Sequence, residues 1–382
     1  MFFVFIFSSY LQGDPQKVST NKTVCLNMIV KDERGVIEKC LNSAKPFIDY
    51  WVIVDTGSTD GTQEFIKETM KDIPGELHER PWVNFEHNRN EALELAKNKS
   101  DYLLFMDADE FLSYESDCSF PQLDLDYYHM TVRQIGAADV LRAAVVKTTL
   151  PWKWSGVLHE TLDCSIAKTH GILPGITNLC NTNGPSGRSV DPDKYLKDAA
   201  VLEEALKKDP NNSRYVFYLA QSYAASGNKG LALKNYERRI LMPSTDYQET
   251  FFAIYNAGKI KEETGDNEGA LRLYFRANAH YPTRAEPIFR AAVVYRNIGN
   301  PFLGYLLAQH ALTIPCPKDN CVEYLTYDHA ILIEFANCAL LTGRWQEGLD
   351  ASIKLLSNPN LPPEARPGIT ANIELAKKNL QL

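Results

Sequence analysis

Residues 102–110 read YLLFMDADE, an apolar run that passes straight into Asp107, Asp109 and Glu110 with one alanine between the aspartates. Carboxylates this close repel one another unless a cation or a bound ligand compensates them. Two earlier apolar runs end in the same way. CLNMIV (25–30) leads into Lys31, Asp32 and Glu33, and WVIV (51–54) leads into Asp55. Short apolar runs bounded by turn residues read as buried strands. Between them Val36, Ile37, Cys40, Leu41 and Ala44, then Phe65, Ile66 and Met70, then Ala92, Leu95 and Ala96 recur at helical spacing. Strand and helix in alternation predict a mainly parallel, Rossmann-like sheet covered on both faces. The carboxyl ends of such strands line one crevice, the place where open α/β sheets bind ligands, so the three acidic strand ends converge there.

A poorly defined strand is expected near Leu77, and the pieces DYYHMTVR (126–133) and RAAVVKTT (142–149) predict a mixed extension of the sheet. A Gly/Pro/Ser cluster, NTNGPSGRS (181–189), marks a domain boundary. Beyond Asp191 the chain reads as helix, and it repeats. Gly227, Gly265, Gly299 and Gly343 are each followed five residues later by a small residue, Ala232, Ala270, Gly304 and Gly348. Asn228, Asp266 and Asn300 follow the first three glycines, and Tyr236 and Tyr274 come four residues after the small residue in the first two segments. The spacing is that of helix pairs, with the glycine closing the turn and the small residue letting the helices approach. Three segments result: an apolar N-terminal tail (1–23), an α/β domain (24–189) and an all-α helical repeat domain (190–382).

The chain has 382 residues and a formal charge of −8, and no dense run of Lys and Arg, which argues against nucleic acid as a partner. The eight cysteines show no CxxC pair and no zinc spacing, so they read mostly as reduced small hydrophobes. The opening MFFVFIFSSYLQG is too short to span a bilayer, and no other segment is long and apolar enough, so no stable membrane insertion is expected. Its length suits a signal-peptide core, but the positively charged leader is missing. The reading favours a cytoplasmic protein, with a secretory or membrane-associated one if that segment is a signal.

Along an extended chain the period of two sets Asp107 and Asp109 on one side with Ala108 turned away. Two such oxygen ligands suit a hard divalent cation, Mg²⁺ or Mn²⁺, that bridges to substrate phosphates. In VDTGSTDGT (54–62) Asp55 is placed to accept a hydrogen bond from a nucleobase, and Ser58, Thr59 or Asp60 to cap the helix that follows. HNRNEALELA (87–96) sets Arg89 at a helix start, to pair with phosphate or with a nearby acid. In WKWSGVLHETL (152–162) His159 and Glu160 can supply a metal ligand and a general base, and Trp152 and Trp154 a stacking face. A strand with core tryptophans and a hydrogen-bonded histidine reads equally well.

Together CLNMIVKDE, WVIVDTGSTDGT, NRNEALELA, YLLFMDADE and WSGVLHE occur in the order seen in family 2 glycosyltransferases of the A-type fold, and LAQSYAASGNKGLALKNYERRI resembles a tetratricopeptide unit. The chain resembles the subgroup that fuses the two. The resemblance implies an inverting transfer of a sugar from a nucleotide-sugar donor, a UDP-sugar by family habit, with a divalent cation (Mn²⁺ or Mg²⁺). It implies that Asp55 and Arg89 hold the nucleotide and that the backbone from Met28 to Val30 borders the base. It further implies that Asp107 lies near ribose and metal, that Asp109 ligates the metal directly, and that His159 and Glu160 form the "HE" pair. Relatives carry a further histidine before the repeats, where this chain has Asn181 and Asn183. Glu160 is the first choice for catalytic base, followed by Glu110 and Asp163. The acceptor expected is a protein or peptide presented by the repeats. Two competing readings are a repeat scaffold with a degenerate transferase domain and a metal-dependent nucleotidyltransferase.

Overall fold

The computed structural model describes residues 22–114, 122–134, 140–180, 191–243, 246–317 and 321–382. Readings that rest on the N-terminal apolar segment, Cys118, the 181–189 cluster, Asn181 and Asn183 lie outside them. The chain divides into two compact units, the first ending at Lys194 and the second beginning at Tyr195.

The first unit alternates strands and helices in the order β1 (Val24–Val30), α1 (Ile37–Ala44), β2 (Tyr50–Asp55), α2 (Thr62–Thr69), β3 (Gly75–Glu79), α3 (Phe85–Ala96) and β4 (Tyr102–Phe105). Six further strands follow: β5 (Glu110–Tyr114), β6 (Tyr127–Gln134), β7 (Val140–Lys147), β8 (Lys153–Ser155), β9 (Thr161–Asp163) and β10 (His170–Cys180). Eight of these strands form one sheet in the order β3-β2-β1-β4-β7-β6-β10-β5, and β8 pairs with β9 separately. The strands β1 to β4 are mutually parallel. Antiparallel pairing of β7 with β4 and β6, and of β5 with β10, makes the remainder mixed, as the loosened pattern after residue 126 predicts.

Alternation along the strands supplies two cores. Leu26, Met28, Ile53 and Leu104 face α1 and α2, where they meet Ile37, Cys40, Leu41, Ile66 and Met70. Cys25, Val52, Leu103 and Phe105 face α3 and pack with Ala96 and Trp154. Full burial of one Leu or Ile side chain contributes roughly 1.5–3 kcal/mol, so the two faces together hold the strand ends in a fixed frame. Asn27 is the polar exception on the α3 face, and it is satisfied by donating to Ala92 O at 2.8 Å.

In the second unit α4 (Lys194–Lys208) precedes four helix pairs: α5 (Ser213–Ala225) with α6 (Lys229–Leu241), α7 (Tyr247–Glu263) with α8 (Asn267–His280), α9 (Glu286–Asn297) with α10 (Pro301–Ala311), and α11 (Ile331–Leu341) with α12 (Trp345–Leu356). A last helix, α13 (Arg366–Leu380), packs on α12. All four repeat glycines sit between paired helices with φ of 81°, 85°, 84° and 74°, a conformation that costs an L side chain strain. Asn228, Asp266 and Asn300 cap the following helices by accepting from Leu231 N, Gly269 N and Leu303 N. A Cβ at Gly304 would stand 3.0 Å from Ala292 O, and one at Gly348 would stand 2.5 Å from Leu340 Cδ2, so these positions admit no larger residue without movement. This is a tetratricopeptide-type array. In the longer stretch before Gly343, the described residues Cys321 and Glu323 of the α10–α11 connection meet α7 and the turn before α9, where Glu323 accepts from Tyr255 Oη at 2.9 Å and Arg284 donates to Cys321 O at 3.0 Å.

Candidate active site at the carboxyl ends of the sheet

The loops after β1 and β2 are locked to each other. Asp32, at φ 54°, donates its backbone N–H to Ser58 Oγ and accepts from Thr59 N, each at 2.8 Å, while Arg34 N donates to Asp60 at 3.0 Å. Ser58 and Thr59 are therefore committed to the β1 loop and do not cap α2. Gly61, at φ 88°, takes the N-cap position, and Asp60 accepts from Thr62 N. Above this clamp Asp55 is fully buried beside Val30, whose carbonyl accepts from Thr56 N. Its Oδ1 accepts from Gly57 N, Ser58 N and Gln63 Nε2 at 2.8–3.0 Å. Its Oδ2 is buried with no partner among the described residues. Leaving such an atom unmatched costs about 1–3 kcal/mol, which a ligand N–H would recover.

Helix α3 delivers Arg89. Asn84 caps the helix by accepting from His87 N at 2.8 Å, and the buried Asn88 ties the entry loop through Val83 N and Pro81 O, both at 3.0 Å. Asn90 makes a two-way backbone pair with Trp154, at 2.8 and 2.9 Å, and Glu86 accepts from Gly156 N at 3.0 Å. Of the asparagines of HNRN, Asn88 thus clamps the loop entering α3 and Asn90 clamps β8, and Arg89 between them reaches the crevice. Its Nε lies 2.5 Å from Glu160 Oε1 and its Nη2 2.6 Å from Asp107 Oδ1. Both readings of Arg89 are relevant, since the acid partners lie in the crevice itself.

After β4 the chain turns at once, with Glu110 N donating to Asp107 O at 3.1 Å. The chain is turned here and not extended, so strand alternation does not set the two aspartates; Ala108 is buried in the core and Asp107 and Asp109 stay partly exposed. Burial alone would raise the Asp107 carboxyl, but Arg89 and Arg142 outweigh it and hold it well below the usual carboxylate range. Asp109 is pushed the other way, by burial and by its neighbours Asp107 and Glu110. Glu110 is 3% exposed, and its Oε2 accepts from Arg142 Nη2 (2.5 Å), Asn178 Nδ2 (2.7 Å) and Asp107 N (3.0 Å). So enclosed, Glu110 anchors its neighbours, and the geometry does not suit it to the role of catalytic base. Asp163 sits on the short strand β9, where it accepts from Thr161 Oγ1 at 2.8 Å.

The tryptophans are structural. Trp154 is 8% exposed and meets Phe105 edge-on at 5.3 Å, and Trp152 donates to Lys147 O and packs partly buried on the same core, which is the second of the two readings of this stretch. His159 is exposed at φ 54°. Among the described residues no three His, Cys, Asp or Glu side chains gather to hold a metal. A cation shared between protein and substrate remains chemically compatible. Asp109 is a carboxyl whose ionised form is disfavoured by two neighbouring acids, and a divalent ion relieves that repulsion. Mg²⁺ and Mn²⁺ sites of this kind use one or two carboxylates, with waters and substrate phosphates completing the shell. Sequence reasoning missed Arg142, Asn178 and Asn88. Arg142 is brought to the crevice by the antiparallel pairing of β7 with β4, in which Tyr102 pairs with Lys147 and Leu104 with Val145, a long-range pairing that local periodicity does not show.

A mostly parallel sheet with helices on both faces of its first four strands, and with acids and an arginine gathered at their carboxyl ends, has the A-type glycosyltransferase architecture. Residues 25–119 match the family model "Glycosyl transferase family 2", so this stretch is a family 2 glycosyltransferase domain. The chain is 24% identical over 214 residues to the SPbeta prophage-derived glycosyltransferase SunS of Bacillus subtilis (strain 168), covering 53% of this chain and 50% of that protein. It is 37% identical over 93 residues to a TPR repeat-containing protein of Synechococcus elongatus, covering 24% of this chain and 22% of that one. The chain spans half the length of SunS and less of the other relative. Among solved structures MamA aligns over 49% of this chain and 90% of its own, at 14% identity and a TM-score of 0.34. No helix of the described residues is long and apolar enough to cross a membrane.

Proposed function

We propose that the chain is an inverting glycosyltransferase that moves a sugar from a nucleotide-sugar donor, a UDP-sugar by family resemblance, to a protein or peptide acceptor presented by the repeat unit. The observation that carries this reading is Arg89, which joins Asp107 at the end of β4 to Glu160 in the loop after β8 and so brings two otherwise separate acids to one crevice. Asp55 Oδ2, buried and unmatched, accepts an N–H of the base, with the Val30 backbone beside it. Asp109, with Asp107, would hold a divalent cation, which when bound supplies positive charge to the leaving diphosphate.

Arg89 adds its own charge to the departing diphosphate, where negative charge develops as the sugar–phosphate bond breaks. In turning to the phosphate it loosens its hold on Glu160. Glu160 then accepts the proton that the acceptor loses as it attacks. Glu110 positions the turn that carries both aspartates.

The test is product analysis with a panel of nucleotide sugars in the presence of Mn²⁺. Release of nucleoside diphosphate is expected, through donor hydrolysis or transfer. Release of pyrophosphate from nucleotide precursors would indicate a nucleotidyltransferase, and no turnover of any donor would indicate a scaffold with a degenerate domain.

A further inference from the structure

Arg142 is a second cation in the crevice. It belongs to β7, which pairs antiparallel with β4 from Tyr102–Lys147 to Leu104–Val145, and its guanidinium comes within 3.6 Å of the Asp107 carboxylate. Among the described residues its side chain is hydrogen-bonded from one end only. Nη2 lies 2.5 Å from Glu110 Oε2, and Glu110 is itself fixed by Asn178 at 2.7 Å and by Asp107 N at 3.0 Å. Nη1 stands 3.6 Å from Asp107 Oδ2, beyond hydrogen-bonding distance, and the side chain is 35% exposed. An arginine serving only as a counter-ion to Asp107 would close on it in the two-point geometry that guanidinium and carboxylate prefer. Here Arg89 already takes Asp107 Oδ1 at 2.6 Å, and Arg142 is pinned by a buried acid while its Nη1 stays short of hydrogen-bonding distance to Asp107.

The charges point the same way. Glu160, Asp107, Asp109 and Glu110 bring four carboxylates to the crevice, and Arg89 and Arg142 bring two guanidinium groups. A diphosphate entering such a place needs every local cation, and a rigid planar fork matches phosphate oxygens better than a point charge does. We propose that Arg142 binds the diphosphate of the donor and that Glu110 and Asn178 are its positioning residues. This assignment rests on the glycosyltransferase reading above.

The experiment measures binding to the full chain by calorimetry with Mn²⁺ present. The probes are uridine, cytidine, guanosine, adenosine and thymidine diphosphates and, for the one that binds, its free nucleoside. For Arg142→Met, diphosphate affinity is expected to fall about 10- to 100-fold, the loss of one charge-assisted contact, while nucleoside affinity stays within about 2-fold. Arg142→Lys keeps the charge but not the fork and is expected to give an intermediate loss. Should Arg142→Met fail to fold, the lysine variant decides. Equal losses for diphosphate and nucleoside would mean that Arg142 supports the fold and would overturn the assignment, as would unchanged diphosphate affinity. If the wild-type chain binds none of the diphosphates, the transferase reading itself falls, and the assignment falls with it.

Discussion

At the scale of single residues the site is a chain of alternating charges, Glu160, Arg89, Asp107, Arg142 and Glu110, and what each can do depends on what already holds it. Glu160 has one strong partner and a loop of its own, so Glu160→Gln is expected to lower kcat for transfer by about 10²- to 10⁴-fold with donor KM within about 3-fold. Transfer at the wild-type rate would remove Glu160 as the base. Asp55→Asn poses a sharper question. The amide oxygen can still serve Gly57 N, Ser58 N and Gln63, but the amide nitrogen then occupies the unmatched position and meets a base N–H donor to donor. Donor affinity is expected to fall by about 1–3 kcal/mol, roughly 10- to 100-fold, with little change in Tm. Loss of fold with no separate effect on binding would make Asp55 a loop anchor only. Asp55, Arg89 and Asp107 were legible in the sequence because each lies at or just past a strand end or, for Arg89, in the second turn of a helix. Arg142 was not, because its importance lies in an antiparallel pairing between distant strands that local periodicity does not encode.

At the scale of elements, the strength of the apolar pattern decided what could be read in advance. Strands β1, β2 and β4 are buried on both faces and stand out as continuous apolar runs, whereas β3 (GELHE) has partly exposed side chains and barely registers. Its polar residues do other work: Glu76 accepts from Tyr50 Oη at 2.8 Å and pairs with His78 and Lys99, binding the edge of the sheet to β2 and to the loop beyond α3. The hydrogen bond from Lys99, with those from Tyr50 and His78, holds the Glu76 carboxyl down at about 2, against an ordinary value of 4.5. A depressed folded-state value stabilises above the unfolded one and is lost as pH falls through the folded one, so the contribution disappears between about pH 4.5 and 2. Because the group is solvent-accessible, screening reduces it to about 1 kcal/mol. Glu76→Gln is expected to lower Tm slightly near neutrality, where the contribution is fully present, and to flatten the acid limb of a Tm-against-pH curve so that the two curves converge toward pH 2. An unaltered acid limb would mean that the Glu76 pairs contribute nothing. In the helical unit the repeat spacing was readable because turn glycines and small contact residues are dictated by geometry. The α10–α11 connection was not readable, since it follows no period. Gly348→Val, which drives a side chain into Leu340, is expected to destabilise by about 1–3 kcal/mol in urea unfolding.

At the scale of the whole molecule, two units of different construction divide the reaction that we propose between them. The first holds all the acids and arginines of the candidate site. The second offers stacked helix pairs, a form whose extended surfaces suit peptides. Part of that surface is already taken by the α10–α11 connection, whose Glu323 engages Tyr255 and Lys259, so a peptide has to use the remaining helices or compete with that carboxylate. The division of labour predicts separable losses. A truncated chain ending at Lys194 is expected to bind nucleoside diphosphate within about 3-fold of the full chain and to hydrolyse the donor slowly to water, because donor chemistry draws only on residues between Val30 and Asn178. Its transfer to a peptide library, scored by mass spectrometry, is expected to fall by at least about 100-fold, the effective-concentration advantage of an acceptor held beside the site. Circular dichroism that retains the α/β signature excludes simple unfolding of the truncated chain. Transfer at the full-chain rate by a folded truncated chain would show that the acceptor is recognised by the catalytic unit alone, and the repeat array would then need a different partner.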